Sequence, residues 1–144
     1  MSWYKKVIKK LIRICKDCQQ EFVPTSLNHF RCGNIKRKLG CSFLNSKKNK
    51  NKTRQKYRIS ALIYYGGNPP KCICCKEKEI QFLTIDHING ISNRKHRQEI
   101  GQGGSTLYRW LKKNNFPKGF QVLCYNCNCS KGHYGICPHK QNNL

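Results

Sequence analysis

Acidic side chains are scarce in this chain: six Asp and Glu stand against 29 Lys and Arg, a formal net charge of +23 over 144 residues. So lopsided a surface repels itself and binds polyanions at low salt. A Lys, Asn and Ile bias of this kind is also what AT-rich coding produces without selection on function, but the charge acts on polyanions whatever its origin. Long apolar runs are missing as well. None approaches the ~20 residues of a membrane span, and no long amphipathic helix or lipidation signal offers a membrane surface, which leaves nucleic acid as the natural partner. The apolar positions of the N-terminus are broken by Lys5, Lys6, Lys9 and Lys10, so no secretory leader is expected. Apolar residues make up 38% and mean hydropathy is −0.75, too little for a large oily core. The length suits one ordinary domain or two small ones, and small modules of this composition need staples.

Cysteine is what the chain has in plenty: eleven, an odd number. Without a leader this points to an intracellular, reducing setting in which Cys pairs bind zinc rather than oxidise. The strongest signal is Cys72-x-x-Cys75 followed far downstream by Cys124-x-x-Cys127, since each short loop aims two thiolates at one tetrahedral ion. In "CICC" the two-residue gap favours Cys72 over Cys74, and Cys74 reads as a small core residue. Cys15-x-x-Cys18 with Cys32 and Cys41 makes a second four-thiolate set, His29 being the reserve ligand. The loop between Cys32 and Cys41, "GNIKRKLG", would project Lys36, Arg37 and Lys38 toward phosphate. Cys129, His133, Cys137 and His139 are nominally enough for a third site, but no short pair anchors them and local tail packing explains them as well, so a third metal is left open by the sequence.

The order of elements follows from spacing. "WYKKVIKKLIRI" (3–14) fits a short amphipathic helix or a strand. "NSKKNKNKTRQK" (45–56) is low-complexity, polar and basic, and reads as a linker or a flexible phosphate-contacting arm. "YRISALIYYGG" puts Tyr57, Ala61 and Tyr65 on one helical face, and Gly66-Gly67 stops it. Residues 82–86 read as a strand, 88–104 as a glycine-rich basic loop, and Ser105 as the N-cap of a helix with Leu107, Trp110 and Leu111 on one face. "GFQVLC" alternates as a second strand, and "CYNCNCSKGHYG" turns from it into a helix. No internal repeat is clear. The fold expected is small, zinc-stabilised α+β: an N-terminal four-cysteine module (1–45), a basic linker and helix (46–70), and a C-terminal module (71–144).

Against so few carboxylates, "FLTIDHING" places Asp86 beside His87 at the end of an apolar strand. The zinc pairs bracket this dipeptide, and Asn128 follows the last cysteine of the second pair, on a helix that can face the strand. A carboxylate and an amide oxygen are hard ligands suited to Mg²⁺ or Mn²⁺, and His87 could reach a water beside a phosphate. "LTIDHING" and "VLCYNCNCSKGHYG" inside CxxC…CxxC resemble the HNH family of ββα-metal nucleases, in its zinc-stapled branch of phage and homing-type endonucleases and endonuclease VII-like junction resolvases. The likeness covers residues 72–139. It implies a C-terminal ββα-metal (HNH) module in which Asp86 and Asn128 hold one Mg²⁺ or Mn²⁺, His87 is the general base, and the cysteines bind structural zinc. The family's asparagine before the second strand, which orients the base, has no counterpart in "FPKGFQ"; a backbone carbonyl, Asn114 or Asn115 is left for that role.

The function expected is hydrolysis of DNA phosphodiester bonds without a small-molecule substrate or a membrane. Lys131, His133, Arg94, Lys95 and Arg97 join Lys36, Arg37 and Lys38 as phosphate contacts, while His96 and His29 read as polar surface residues. Two other readings stand beside it: a zinc-ribbon nucleic-acid binder whose HNH core does not cut, and a resolvase of branched DNA that would act as a dimer. Oligomeric state, target and number of strands cut are left open by the sequence.

Overall fold

The computed structural model describes residues 11–34, 37–90, 98–100 and 104–141, and divides into two units, 1–52 and 53–144. In the first unit, strands β1 (Arg13–Ile14) and β2 (Glu21–Phe22) pair antiparallel with Arg13 opposite Phe22. The turn joining them carries Cys15 and Cys18. Of the two readings of segment 3–14, the described end is strand, and residues 1–10 lie outside the described residues. Loop 33–40 is pinched at its base, where Asn34 and Leu39 exchange backbone hydrogen bonds of 2.9 and 3.0 Å. A Cβ on Gly33, at φ +88°, would lie 2.2 Å from Leu39 O, so only glycine closes this base. Arg37 and Lys38 stand exposed in that loop; Lys36 lies outside the described residues.

Helix α1 (Gly40–Gly66) corrects the reading of residues 45–56 as a linker or flexible arm, because the whole basic stretch is helical. The stretch holds no Pro or Gly, its Lys, Arg and Gln are good helix formers, and the following turns are anchored by fully buried Ala61 and Leu62. Gly66 ends the helix against the second unit's sheet, where a Cβ would meet Val122 Cγ2 at 2.9 Å. Gly67, at φ +85°, turns the chain out.

The second unit is built on a hairpin-like pair, β3 (Leu83–His87) and β4 (Phe120–Cys124), antiparallel with Leu83 opposite Cys124, Asp86 opposite Gln121 and His87 opposite Phe120. Between them runs helix α2 (Ser105–Lys113), and directly after β4 comes α3 (Tyr125–Tyr134), then the short α4 (Pro138–Gln141). Leu83, Ile85, Leu107, Tyr108, Leu111, Phe120 and Val122 form the core with Ala61 and Leu62. The N-cap of α2 is Gly104, not Ser105, and no side chain caps it; Ser105 is already helical. Buried Tyr108 joins Leu107 and Leu111, and Trp110 packs on the core half-buried. The chain is thus a small mixed α+β protein with clustered cysteines. No helix among the described residues is long and apolar enough to cross a membrane.

Candidate metal centres and the strand-end acid

Two of the three CxxC pairs, Cys15/Cys18 and Cys72/Cys75, sit in the same kind of turn. In the first, Cys15 N donates to Gln20 O (2.9 Å) and Gln19 N to Cys15 O (3.0 Å); in the second, Cys72 N donates to Glu77 O (2.8 Å) and Lys76 N to Cys72 O (3.0 Å). The residue after each loop takes a left-handed φ, 59° at Gln19 and 66° at Lys76. This repeat of geometry escapes the sequence because, the cysteines apart, the two turns share no side-chain pattern.

Cys15, Cys18, Cys32 and Cys41 come together with all Sγ atoms within 4.8 Å, and so do Cys72, Cys75, Cys124 and Cys127. Cys18 and Cys32 are 3.5 Å apart, Cys75 and Cys124 3.6 Å. Zinc–sulfur bonds of about 2.3 Å at tetrahedral angles put the sulfurs roughly 3.8 Å apart, so the spacing fits zinc. All eleven cysteines are free. Burial pushes the Cys15 thiol up, but backbone hydrogen bonds from Cys18, Cys32 and Asp17 outweigh it and bring it from 9.0 down to about 6. Cys72 is likewise lowered, burial being outweighed by backbone hydrogen bonds from Cys75, Cys124 and Cys74. The folded backbone therefore favours one thiolate, the form that binds metal, in each set. His29 is no reserve ligand here: its ring bonds Thr25 N (3.0 Å) and Ser42 Oγ (3.3 Å).

A third convergence joins Cys74, which also packs half-buried against the core, to the tail. Cys74, Cys127, Cys137 and His139 also lie with their ligand atoms within 4.8 Å. Cys129 and His133 are exposed and stand outside this group. "CICC" and Cys137-x-His139 carried the signal, but side-chain direction within a tight turn is not legible from spacing.

At the far end of β3 the alternation of the strand separates the two central residues. His87 shares the packed face with Leu83 and Ile85, its ring 4.6 Å from that of Phe120. Its Nε2 is buried, and the ring borders a cleft of ≈ 240 Å³ with Asn89, Gly90, Trp110 and Lys118. Asp86 lies on the other face. Its Oδ2 accepts from Gln121 Nε2 (2.7 Å) and Lys131 Nζ (2.6 Å), and the same ammonium donates to the carbonyls of His87 (2.6 Å) and Ile88 (3.0 Å). Lys131 thus meets the acid directly, and Gln121, which no motif singles out, buttresses it; the alternation of "GFQVLC" sets Gln121 on the face away from Phe120. Asn128 is half-buried on α3, one turn before Lys131, and makes no hydrogen bond to Asp86 among the described residues. Asn114 turns back to Trp110 O (2.9 Å), and Asn115 follows the helix end at φ 52°. Arg94, Lys95, His96 and Arg97 lie outside the described residues.

Neither a family model, nor a curated protein, nor a solved structure matches this chain.

Proposed function

We propose that the protein is a metal-dependent DNA endonuclease of the HNH type, acting in a reducing cell interior that keeps its thiols free. The observation that carries this reading is the convergence of Asp86 Oδ2 with the carbonyl oxygens of His87 and Ile88 on one cation, the Lys131 ammonium, at a strand end whose imidazole stands on the opposite face. Such an all-oxygen cradle suits a hard divalent ion. Asp86, with Asn128 from α3, would hold Mg²⁺ or Mn²⁺. When bound, the ion would neutralise charge on the scissile phosphate and the departing 3′-oxygen.

The chain's own groups supply the rest. His87 takes a proton from water in the adjoining cleft, the water oxygen bonds to phosphorus, and the P–O3′ bond breaks opposite it. Lys131 moves from the carboxylate to the phosphate, and the basic surface adds affinity that does not distinguish sequences. Zinc in the four-thiol sets would be structural, since four cysteines of each set would take every ligand position and leave none open for chemistry.

One observation favours a second reading. Lys131 already neutralises Asp86, whose side chain is only 13% exposed, as it would in a binder that never cuts. Incubating zinc-loaded protein with supercoiled plasmid and with four-way junction DNA in Mg²⁺ or Mn²⁺ separates the two. Nicking or junction cleavage, reduced about 10²–10⁴-fold in His87→Ala, is expected. No cleavage of either substrate by the parent chain leaves the binder.

A further inference from the structure

Two of the four-ligand groups described above are not independent. Cys72, Cys75, Cys124 and Cys127 form one, and Cys74, Cys127, Cys137 and His139 the other; Cys127 belongs to both. It is fully buried at the first turn of α3, where its amide donates to Cys124 Sγ at 3.4 Å. His139 Nδ1 stands 3.5 Å from Cys127 Sγ and 3.4 Å from Cys137 Sγ. A tetrahedral zinc with bonds of about 2.3 Å to sulfur and 2.0–2.1 Å to nitrogen sets that edge near 3.5 Å.

We propose that the second unit holds a pair of zinc ions bridged by the thiolate of Cys127. Thiolate sulfur keeps lone pairs enough for two metals, so seven side chains give each ion four ligands without any water. A single ion in the first group would leave Cys74, Cys137 and His139 gathered around a sulfur already committed to that ion.

The second ion would do mechanical work. It would tie the knuckle at Cys74 and the turn into α4 to the base of α3, three segments that otherwise meet around a cleft of ≈ 310 Å³ reaching from Cys137 to Lys131. The carboxylate site would then be fixed from both ends of α3.

The test uses the full chain loaded with ¹¹³Cd²⁺ in place of zinc. Two cadmium resonances that split each other through the shared sulfur are expected, beside an uncoupled one from the first unit's thiols. A spectrum of singlets overturns the bridge. In parallel, the metal content of Cys137→Ser/His139→Ala is expected to fall by one zinc per chain, with Cys129→Ala unchanged from the parent. An equal content in the double variant and the parent overturns the second ion. Should the double variant fail to fold, the coupling in the parent chain still decides.

Discussion

Lys131 is the residue on which the two functional readings divide, because its ammonium gathers three oxygens, Asp86 Oδ2 and the carbonyls of His87 and Ile88, at one point. Its side chain is 24% exposed and that of Asp86 13%, so the pair is screened by water less than a surface ion pair. Replacing it by Met leaves a half-buried carboxylate with Gln121 as its one side-chain donor among the described residues. The expected cost is about 1–3 kcal/mol in urea unfolding of the zinc-loaded protein. If Asp86 serves a divalent ion, added Mn²⁺ should restore stability to Lys131→Met more than it stabilises the parent, since the ion takes over the oxygens the ammonium left. Equal Mn²⁺ responses in the two proteins would mean that this cradle takes the ammonium alone. The pairing itself was beyond sequence reasoning: Lys131 could be assigned to a helix, but which residue of α3 meets Asp86 depends on the angle at which the helix leaves Cys124.

At the scale of elements, what could be read in the sequence is what rests on local periodicity or on paired ligands. The alternation of "GFQVLC", the apolar face of α2 and the glycines after Tyr65 predict the second strand, the helix and the helix stop where they occur, because each is decided within a few residues. Residues 45–56 misled because low complexity suggests disorder, whereas helix propensity and an anchored continuation outweigh it. The third ligand group was not legible because a knuckle's turn, not its spacing, sets which way the middle cysteine, Cys74, points. The strands are short, of two and five residues, and two-stranded sheets are marginal in water. Zinc held in the cysteine groups would supply much of the folding energy. Stripping zinc with a chelator is expected to abolish the protected amides of β3 and β4 in hydrogen exchange, and readdition of zinc alone to restore them. Protection that survives in metal-free protein would show that the apolar core around Leu83, Leu111 and Val122 holds the sheet without zinc.

For the molecule as a whole the question is whether the charge of +23 is organised or merely abundant. Compositional drift would scatter lysines indifferently, and every one would contribute a little to polyanion binding. The helical conformation of residues 45–56 favours organisation instead, because it spaces exposed Lys47, Lys48, Lys50 and Lys52 regularly along a helix rather than a coil. Each phosphate such a group neutralises releases counterion, so log K for duplex DNA should fall linearly with log salt, by roughly 0.9 per phosphate. With about six phosphates neutralised, affinity drops on the order of 10³-fold between 50 and 200 mM salt. Alanine keeps helix propensity high, so replacing Lys47, Lys48, Lys50 and Lys52 together by Ala removes charge without unwinding α1. If the helix is the DNA-binding surface, the slope of that variant is shallower by roughly 0.9 for every phosphate it no longer neutralises. An unchanged slope would place the DNA on other faces of the protein, and the lysines of α1 would then be a product of composition rather than a binding element.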